Sequence, residues 1–150
     1  QQSGIKDYTI INKESGKIPM TGFPFQKQNS KNIIYIGSAG GWSKPSTGYT
    51  FKNIEKKTKT LLKFLKQNDD FKKYSKKTRF WFYDLIFLDV LFHNNHLGRK
   101  LFTQMFKNNH PKLIFKFLDE KTNLLEEIKI MSSFSTGIFL KTIYKRLFNL

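Results

Sequence analysis

Between Gly37 and Phe51 the chain reads GSAGGWSKPSTGYTF, which holds four glycines, one proline and five Ser or Thr residues. Glycines let a backbone approach a ligand closely and adopt conformations that other residues resist. An apolar run precedes the stretch and a Lys-rich amphipathic segment follows it. If that segment is a helix, its first turn offers unpaired N–H groups and the positive end of its dipole. A buried strand, a Gly-rich loop and a helix start form a seat for a phosphate or another anionic, electron-rich group. Ser46 or Thr47 is placed to cap the helix, Gly48 leaves room for a flat ligand, and Lys44 and Pro45 charge and stiffen the approach. Neither the Gly-Lys-Ser/Thr of a Walker A loop nor a G-x-G-x-x-G dinucleotide fingerprint is present. A plain strand–helix connection that happens to be rich in glycine accounts for the same residues without any ligand.

Four other groups of residues invite a chemical reading. Asp84 and Asp89 interrupt the apolar run FWFYDLIFLDVLF, Phe80 to Phe92. A carboxylate buried there has a raised pKa and can act as an acid, although a hydrogen-bonding role is the commoner one. His93 and His96 have the i, i+3 spacing of a shared metal, but no third ligand lies near and exposed imidazoles at a helix end are expected. No metal site is expected. The pairs Asp119-Glu120 and Glu126-Glu127 are adjacent on helices and do not face one another, so capping or surface roles fit them better. The absence of cysteine excludes disulfides and thiolate chemistry.

The elements that must position these residues fall into two halves. YTIINK at 8–13 and KIPM at 17–20 flank Glu14-Ser15-Gly16, which predicts a hairpin with Gly16 at positive φ and Pro19 near a sheet edge. NIIYI, Asn32 to Ile36, reads as a strand buried on both faces. Phe51, Ile54, Leu61 and Leu65 recur at helical spacing and predict an amphipathic helix of four to five turns. A polar linker runs over 67–78. The rest reads as helices: the 80–92 run, too short and too charged to span a bilayer; a segment opened by Pro111; one capped by Thr122 and carrying Leu125, Ile128 and Met131; and a last one after Gly137 with Leu140, Ile143, Tyr144 and Leu147 on one face. One small hairpin and a lone strand do not make a stable sheet, so the chain reads as a fragment. It begins with Gln1, and no signal peptide is expected at this end.

A formal charge of +16 over 150 residues suggests an anionic partner. Of the basic residues, however, only Arg79, Arg99 and Arg146 are arginine, and the 24 lysines are spread along the chain. Specific phosphate or base readout leans on the arginine fork, so a Lys-decorated surface that favours anionic lipid fits better than a nucleic-acid site.

The stretch IGSAGGWSKPSTGYTF resembles the late cofactor-contacting motif of lycopene cyclases, which runs Ile-Gly-Thr-Ala, a short variable part, then Lys/His-Pro-Ser/Thr-Thr-Gly-Tyr. ESGKIPMT, Glu14 to Thr21, is similar to the family's Glu-x-Gly-x-Ile-Pro-Met segment, and the tail from FYDLIFLDVLF through Phe117-Leu118-Asp119-Glu120 to IMSS is similar to its helical C-terminus. The likeness covers nearly the whole chain in the family's order. It implies an α/β flavoprotein of glutathione-reductase-like fold, of which this chain would be the C-terminal part, a few strands (α+β) followed by a helical region. Residues 1–36 would end the substrate-domain sheet and supply the last FAD-domain strand, 37–66 the flavin-contacting loop and its helix, 67–78 a linker, and 79–150 the helical tail.

On the same resemblance, Gly37, Ser38, Ala39, Gly40, Pro45, Thr47, Gly48 and Tyr49 contact FAD. Ser38 stands where many members of the wider superfamily carry an aspartate. The implied chemistry is isomerisation of lycopene end groups to β-ionone rings, with reduced FAD required, NADPH as electron source and no net redox change. The catalytic acid is expected upstream of this chain, so none of its own residues is assigned that role. A peripheral association with the cytoplasmic membrane face is implied, and no nucleic acid is expected. Competing readings are another isoprenoid-acting flavoenzyme such as a geranylgeranyl reductase, a small basic nucleic-acid-binding module with steeply salt-dependent binding, and a membrane-surface adaptor without catalysis.

Overall fold

The computed structural model describes residues 8–17, 19–74, 78–134 and 136–148. Six α-helices occur among them: α1 (Phe51–Leu65), α2 (Arg79–His93), α3 (Gly98–Asn108), α4 (Pro111–Leu118), α5 (Leu124–Ser132) and α6 (Thr136–Leu147). Short 3-10 turns lie at Phe25–Gln28, Gly37–Gly40, Phe71–Lys73 and Asn95–Leu97. No β-strand occurs among the described residues. The fold is therefore all-α, and the expected α/β class with a few strands is corrected.

The failed strands have a physical reason. NIIYI makes no ladder, and Ile33, Tyr35 and Ile36 stand exposed rather than buried on both faces. A β-branched apolar run becomes a strand only when a neighbour accepts its backbone bonds, and no described segment does so. The hairpin over 8–20 is likewise absent from the described residues, and Gly16 does not take positive φ. Ile18, at the centre of the IPM segment, lies outside the described residues.

The helices follow from their local chemistry. Pro111 occupies the first turn of α4, with His110 Nδ1 accepting from the Lys112 N–H at 3.2 Å. Asn123, not Thr122, caps α5: its Oδ1 accepts from the Glu126 N–H at 3.0 Å while the Glu126 carboxylate accepts from the Asn123 N–H at 2.9 Å. That reciprocal arrangement satisfies two donors that the helix cannot. α1 has the expected position and length, but Asn53 is its only buried residue, and Phe51, Leu62 and Leu65 are exposed.

Helix α2 is the axis of the molecule. Phe80, Leu85, Ile86 and Val90 on it are buried. α6 runs against it, with Phe87 and Phe139 ring centroids 5.7 Å apart and Arg146 bonded to Asp89. α3, α4 and α5 enclose a second core of Met105, Ile114, Leu118 and Ile130, against which Tyr49, Phe102 and Phe117 pack.

One buried network ties α2 to α5. Glu127 is 1% exposed. It accepts from Arg79 Nε at 3.0 Å and Nη2 at 2.8 Å, from Tyr83 Oη at 2.9 Å and from Thr122 Oγ1 at 3.1 Å. Burial alone would push the Glu127 carboxyl up, but these donors outweigh it and hold the group below the ordinary carboxylate range. Its stabilising effect is therefore full above the unfolded pKa, ~4.3 for glutamate, and is lost as pH falls through the lower folded value. Glu127→Gln is expected to lower the thermal midpoint at pH 7 by roughly 2–8 °C. Melting curves from pH 7 to pH 3 should show the gap between variant and wild type closing in acid; a gap constant with pH would contradict the assignment.

Candidate functional site

The Gly-rich stretch folds as two successive tight turns. In the first, the Gly40 N–H donates to the Ile36 carbonyl at 3.1 Å, and the Trp42 N–H to Gly37 at 2.8 Å. In the second, the Gly48 N–H donates to Lys44 at 2.8 Å, and Lys44 N–H to Tyr49 at 2.9 Å. Gly48 has φ +69°, the left-handed region that favours glycine. Gly40 is required for a different reason: a Cβ there would lie 2.1 Å from the Tyr35 carbonyl oxygen.

Three side chains pin the second turn to the helical body. Lys44 is 2% exposed and its Nζ donates to Asp84 Oδ2 of α2 at 2.9 Å. Ser46 Oγ donates to the other Asp84 oxygen. The Lys44 ammonium also sits 5.7 Å and 5.8 Å from the Phe80 and Phe117 ring centroids and 3.8 Å from Glu120. Tyr49 Oη donates to Asp119 Oδ1 at 2.9 Å. Burial, and then this bond to Asp119, push the Tyr49 phenol up. Burial also pushes the Asp84 carboxyl up, with the Lys44 ammonium and the Ser46 hydroxyl pulling against it.

The expected cap is not made. α1 starts at Phe51, and its N-cap Thr50 makes no side-chain bond to the helix. Thr50 Oγ1 donates instead to Gly48 O at 2.6 Å and lies 2.9 Å from Ser43 Oγ, from which it can accept. Ser46 is committed to Asp84, and Thr47 Oγ1 accepts from the Tyr49 N–H at 3.2 Å. The first turn of α1 thus has neither a capping side chain nor an acidic residue.

Of the residues expected to meet a flavin, Ser38, Ala39 and Thr47 are exposed, and Gly37, Gly40, Pro45 and Gly48 are half-buried. Nothing lies within 4 Å of a Cβ built at Gly37 or Gly48. Tyr49 differs from the rest, because its hydroxyl turns inward to Asp119. The turns are open at Gly37 and Gly48, and α1 begins without a capping side chain three residues after Gly48.

Beside the pinned turn lies a cavity of about 180 Å³, lined by Lys44, Ser46, Thr47 and Asp84 and by apolar and aromatic side chains of α2, α3, α4, α5 and α6. Spacing alone did not reveal it. Nor did it reveal the Lys44–Asp84 pair, whose partners lie 40 residues apart. The usable signal was an aspartate in an otherwise apolar helix, which demands a cation or a donor. The acid pairs divide their work: Asp119 holds Tyr49, Glu120 pairs with Lys56 at 3.2 Å, Glu126 caps and Glu127 anchors the buried network. His93 and His96 are exposed, and no group of three or more potential metal-ligating side chains occurs among the described residues.

The sequence profile of the lycopene cyclase protein family matches residues 1–142. The chain belongs to that family, one of carotenoid-cyclising enzymes. No curated protein and no solved structure matches it.

Two substitutions probe this geometry. Asp84→Ala strands the Lys44 ammonium in a sealed environment and is expected to cost about 3–5 kcal/mol in urea unfolding. The pair Lys44→Met with Asp84→Leu should recover most of that; a double variant as unstable as the single one would show that the ion pair is not what holds the turn. Gly40→Ala should destabilise by more than the ~1 kcal/mol typical of point substitutions, since its Cβ meets a backbone oxygen. An unchanged unfolding midpoint would refute the close approach.

Proposed function

We propose that this chain is the cofactor-seating C-terminal part of a flavin-dependent lycopene cyclase. The family match over residues 1–142 carries the reading. Further support comes from the Gly37–Tyr49 turns, whose inner side is fixed to α2 and α4 while their outer side is small and open. Exposed apolar residues at Ile33, Ile36, Phe51 and Leu65 favour a larger enzyme in which other segments cover them.

Gly37, Ser38, Ala39, Gly40, Pro45, Thr47 and Gly48 would hold FAD. In its reduced form, with NADPH as the electron source, FAD held there would supply negative charge beside a cationic intermediate. The uncapped start of α1 favours an anionic edge next to it. Tyr49 acts indirectly, by fixing the turn through Asp119. The reaction adds a proton to a terminal double bond of lycopene, closes a six-membered ring and removes a proton, so atoms and electrons balance without net redox. The proton donor is assigned to another part of the enzyme.

The substrate is a hydrocarbon dissolved in the bilayer, and α6 suits a cytoplasmic membrane surface. Leu140, Tyr144 and Leu147 are exposed on it beside Lys141 and Lys145. Apolar side chains flanked by lysines favour contact with anionic lipid. No helix among the described residues is long and apolar enough to cross a membrane.

The test is expression of the full reading frame that carries this sequence in a lycopene-accumulating bacterium, with pigments separated by chromatography. γ- or β-carotene is the expected product. Lycopene left unchanged by soluble, flavin-loaded protein would overturn the reading in favour of another isoprenoid-acting flavoenzyme. The 150-residue chain by itself is expected to purify without stoichiometric flavin, as absorbance near the flavin bands would check.

A further inference from the structure

Two lysines beside the Gly-rich turns are shielded from solvent, and their surroundings differ. Lys44 is sealed against Asp84 at 2.9 Å and Glu120 at 3.8 Å. Lys57 of α1 is half-buried, and its Nζ donates to the Gly41 carbonyl at 2.9 Å. Among the described residues no carboxylate lies within ion-pair distance of that nitrogen. Its neighbours on α1 are served otherwise. Lys52 and Lys59 pair with Glu55 at 3.7 Å and 2.6 Å, and Lys56 pairs with Glu120 at 3.2 Å. Tyr74 Oη, donating to the Lys57 carbonyl at 3.0 Å, holds the backbone at this point of the helix.

An ammonium carries three N–H donors, whereas a neutral amine has two and a lone pair. One carbonyl acceptor leaves the charged form poorly compensated and suits the neutral form, whose lone pair the bond does not use. Burial pulls the Lys57 amine below the ordinary lysine range; Glu120 opposes this, Lys56 and Lys44 reinforce it, and Asp84 opposes it. A shielded amine next to other cations is a nucleophile near neutral pH.

Glu120 holds this balance at a conformational cost. Its φ is +57°, the region that favours glycine, and it stands just past the end of α4, where glycine is the usual residue. Its carboxylate explains the choice, since it meets both Lys56 and Lys44 and favours the charged form of Lys57. The setting also selects a reagent. Lys52, Lys56, Lys59 and Lys63 ride on the same helix, and a field of one sign draws in small anions. An acyl phosphate is such an anion and carries an electrophilic carbon.

We propose that Lys57 is an acylation site that takes its acyl group from a small acyl phosphate. The amine nitrogen attacks the acyl carbon, and a C–N bond forms. The C–O bond to phosphorus-bearing oxygen breaks, inorganic phosphate leaves with that electron pair, and the nitrogen releases one proton to water. The amide keeps one N–H for Gly41, while the positive charge beside the turns is lost. Neither a flavin nor a carotenoid takes part, so the site stands or falls apart from the cyclase reading.

Acetyl phosphate is the probe, and the protein is the product of the full reading frame. Acetylation is followed residue by residue by tandem mass spectrometry. Lys59, with a side chain 70% exposed, is the internal reference, and the Lys57-to-Lys59 rate ratio cancels the reagent's own pH dependence. At neutral pH the ratio is expected to be about fivefold or more in favour of the less exposed Lys57, and to fall as pH rises and Lys59 also loses its proton. A ratio of one or less at neutral pH, or one constant with pH, overturns the proposal. In urea the preference should vanish; a preference that persists in the unfolded chain would assign it to local sequence and overturn the site.

One variant separates this reading from mere accessibility. Glu120→Gln removes the carboxylate that favours the charged amine and should raise the ratio about twofold or more at neutral pH. An unchanged or lower ratio in folded Glu120→Gln protein contradicts the geometry assigned to Lys57.

Discussion

A single buried ion pair, Lys44 to Asp84, organises this molecule. An ammonium 2% exposed to solvent needs a counter-charge close by. Asp84 supplies it at 2.9 Å, and the Phe80 and Phe117 rings complete the enclosure. Because Lys44 lies within the glycine-rich turns and Asp84 in the middle of α2, the pair fixes an otherwise irregular segment to the most buried helix. Ser46 adds a second bond to the same carboxylate, and Tyr49 a third anchor through Asp119. The conformation of the second turn is set from this side, while the first packs against Phe25, and of the glycines in the turns only Gly37 and Gly48 have open space beside them.

This arrangement separates two requirements that a sequence motif merges. Glycine at 48 is needed for backbone geometry, and at 40 for the approach of the Tyr35 carbonyl. Both requirements exist without any ligand. Lysine and serine at 44 and 46 look like donors for a phosphate, yet both are turned inward and spent on Asp84. What remains for a partner on the front is backbone, small side chains and the start of α1.

The helices were legible in the sequence wherever the signal was local. The period of Phe51, Ile54, Leu61 and Leu65 marked α1, and Pro111 marked the start of α4. The cap of α5 moved by one residue, from Thr122 to Asn123, because the Thr122 hydroxyl is drawn to Glu127. The strands were misread because apolar β-branched runs state only that burial is favourable, not that a pairing partner exists. In the site, the composition of the loop pointed to the right segment. The partners that shape it, Asp84, Asp119 and Glu120, lie 38 or more residues away, and periodicity carries no information on such pairings.

The inward use of carboxylates also governs how copies of the chain meet in solution. Asp84 and Glu127 are buried, and Asp119 and Glu120 are largely shielded, while most lysines point outward. The surface thus has few acidic groups to balance a formal charge of +16, yet it carries exposed Ile33, Phe51 and Leu65. Mutual repulsion keeps those apolar residues apart at low ionic strength, and added salt removes that barrier within a Debye length. Colloidal behaviour is therefore coupled to ionic strength: the lysines that keep copies of the chain dispersed lose that effect as salt rises.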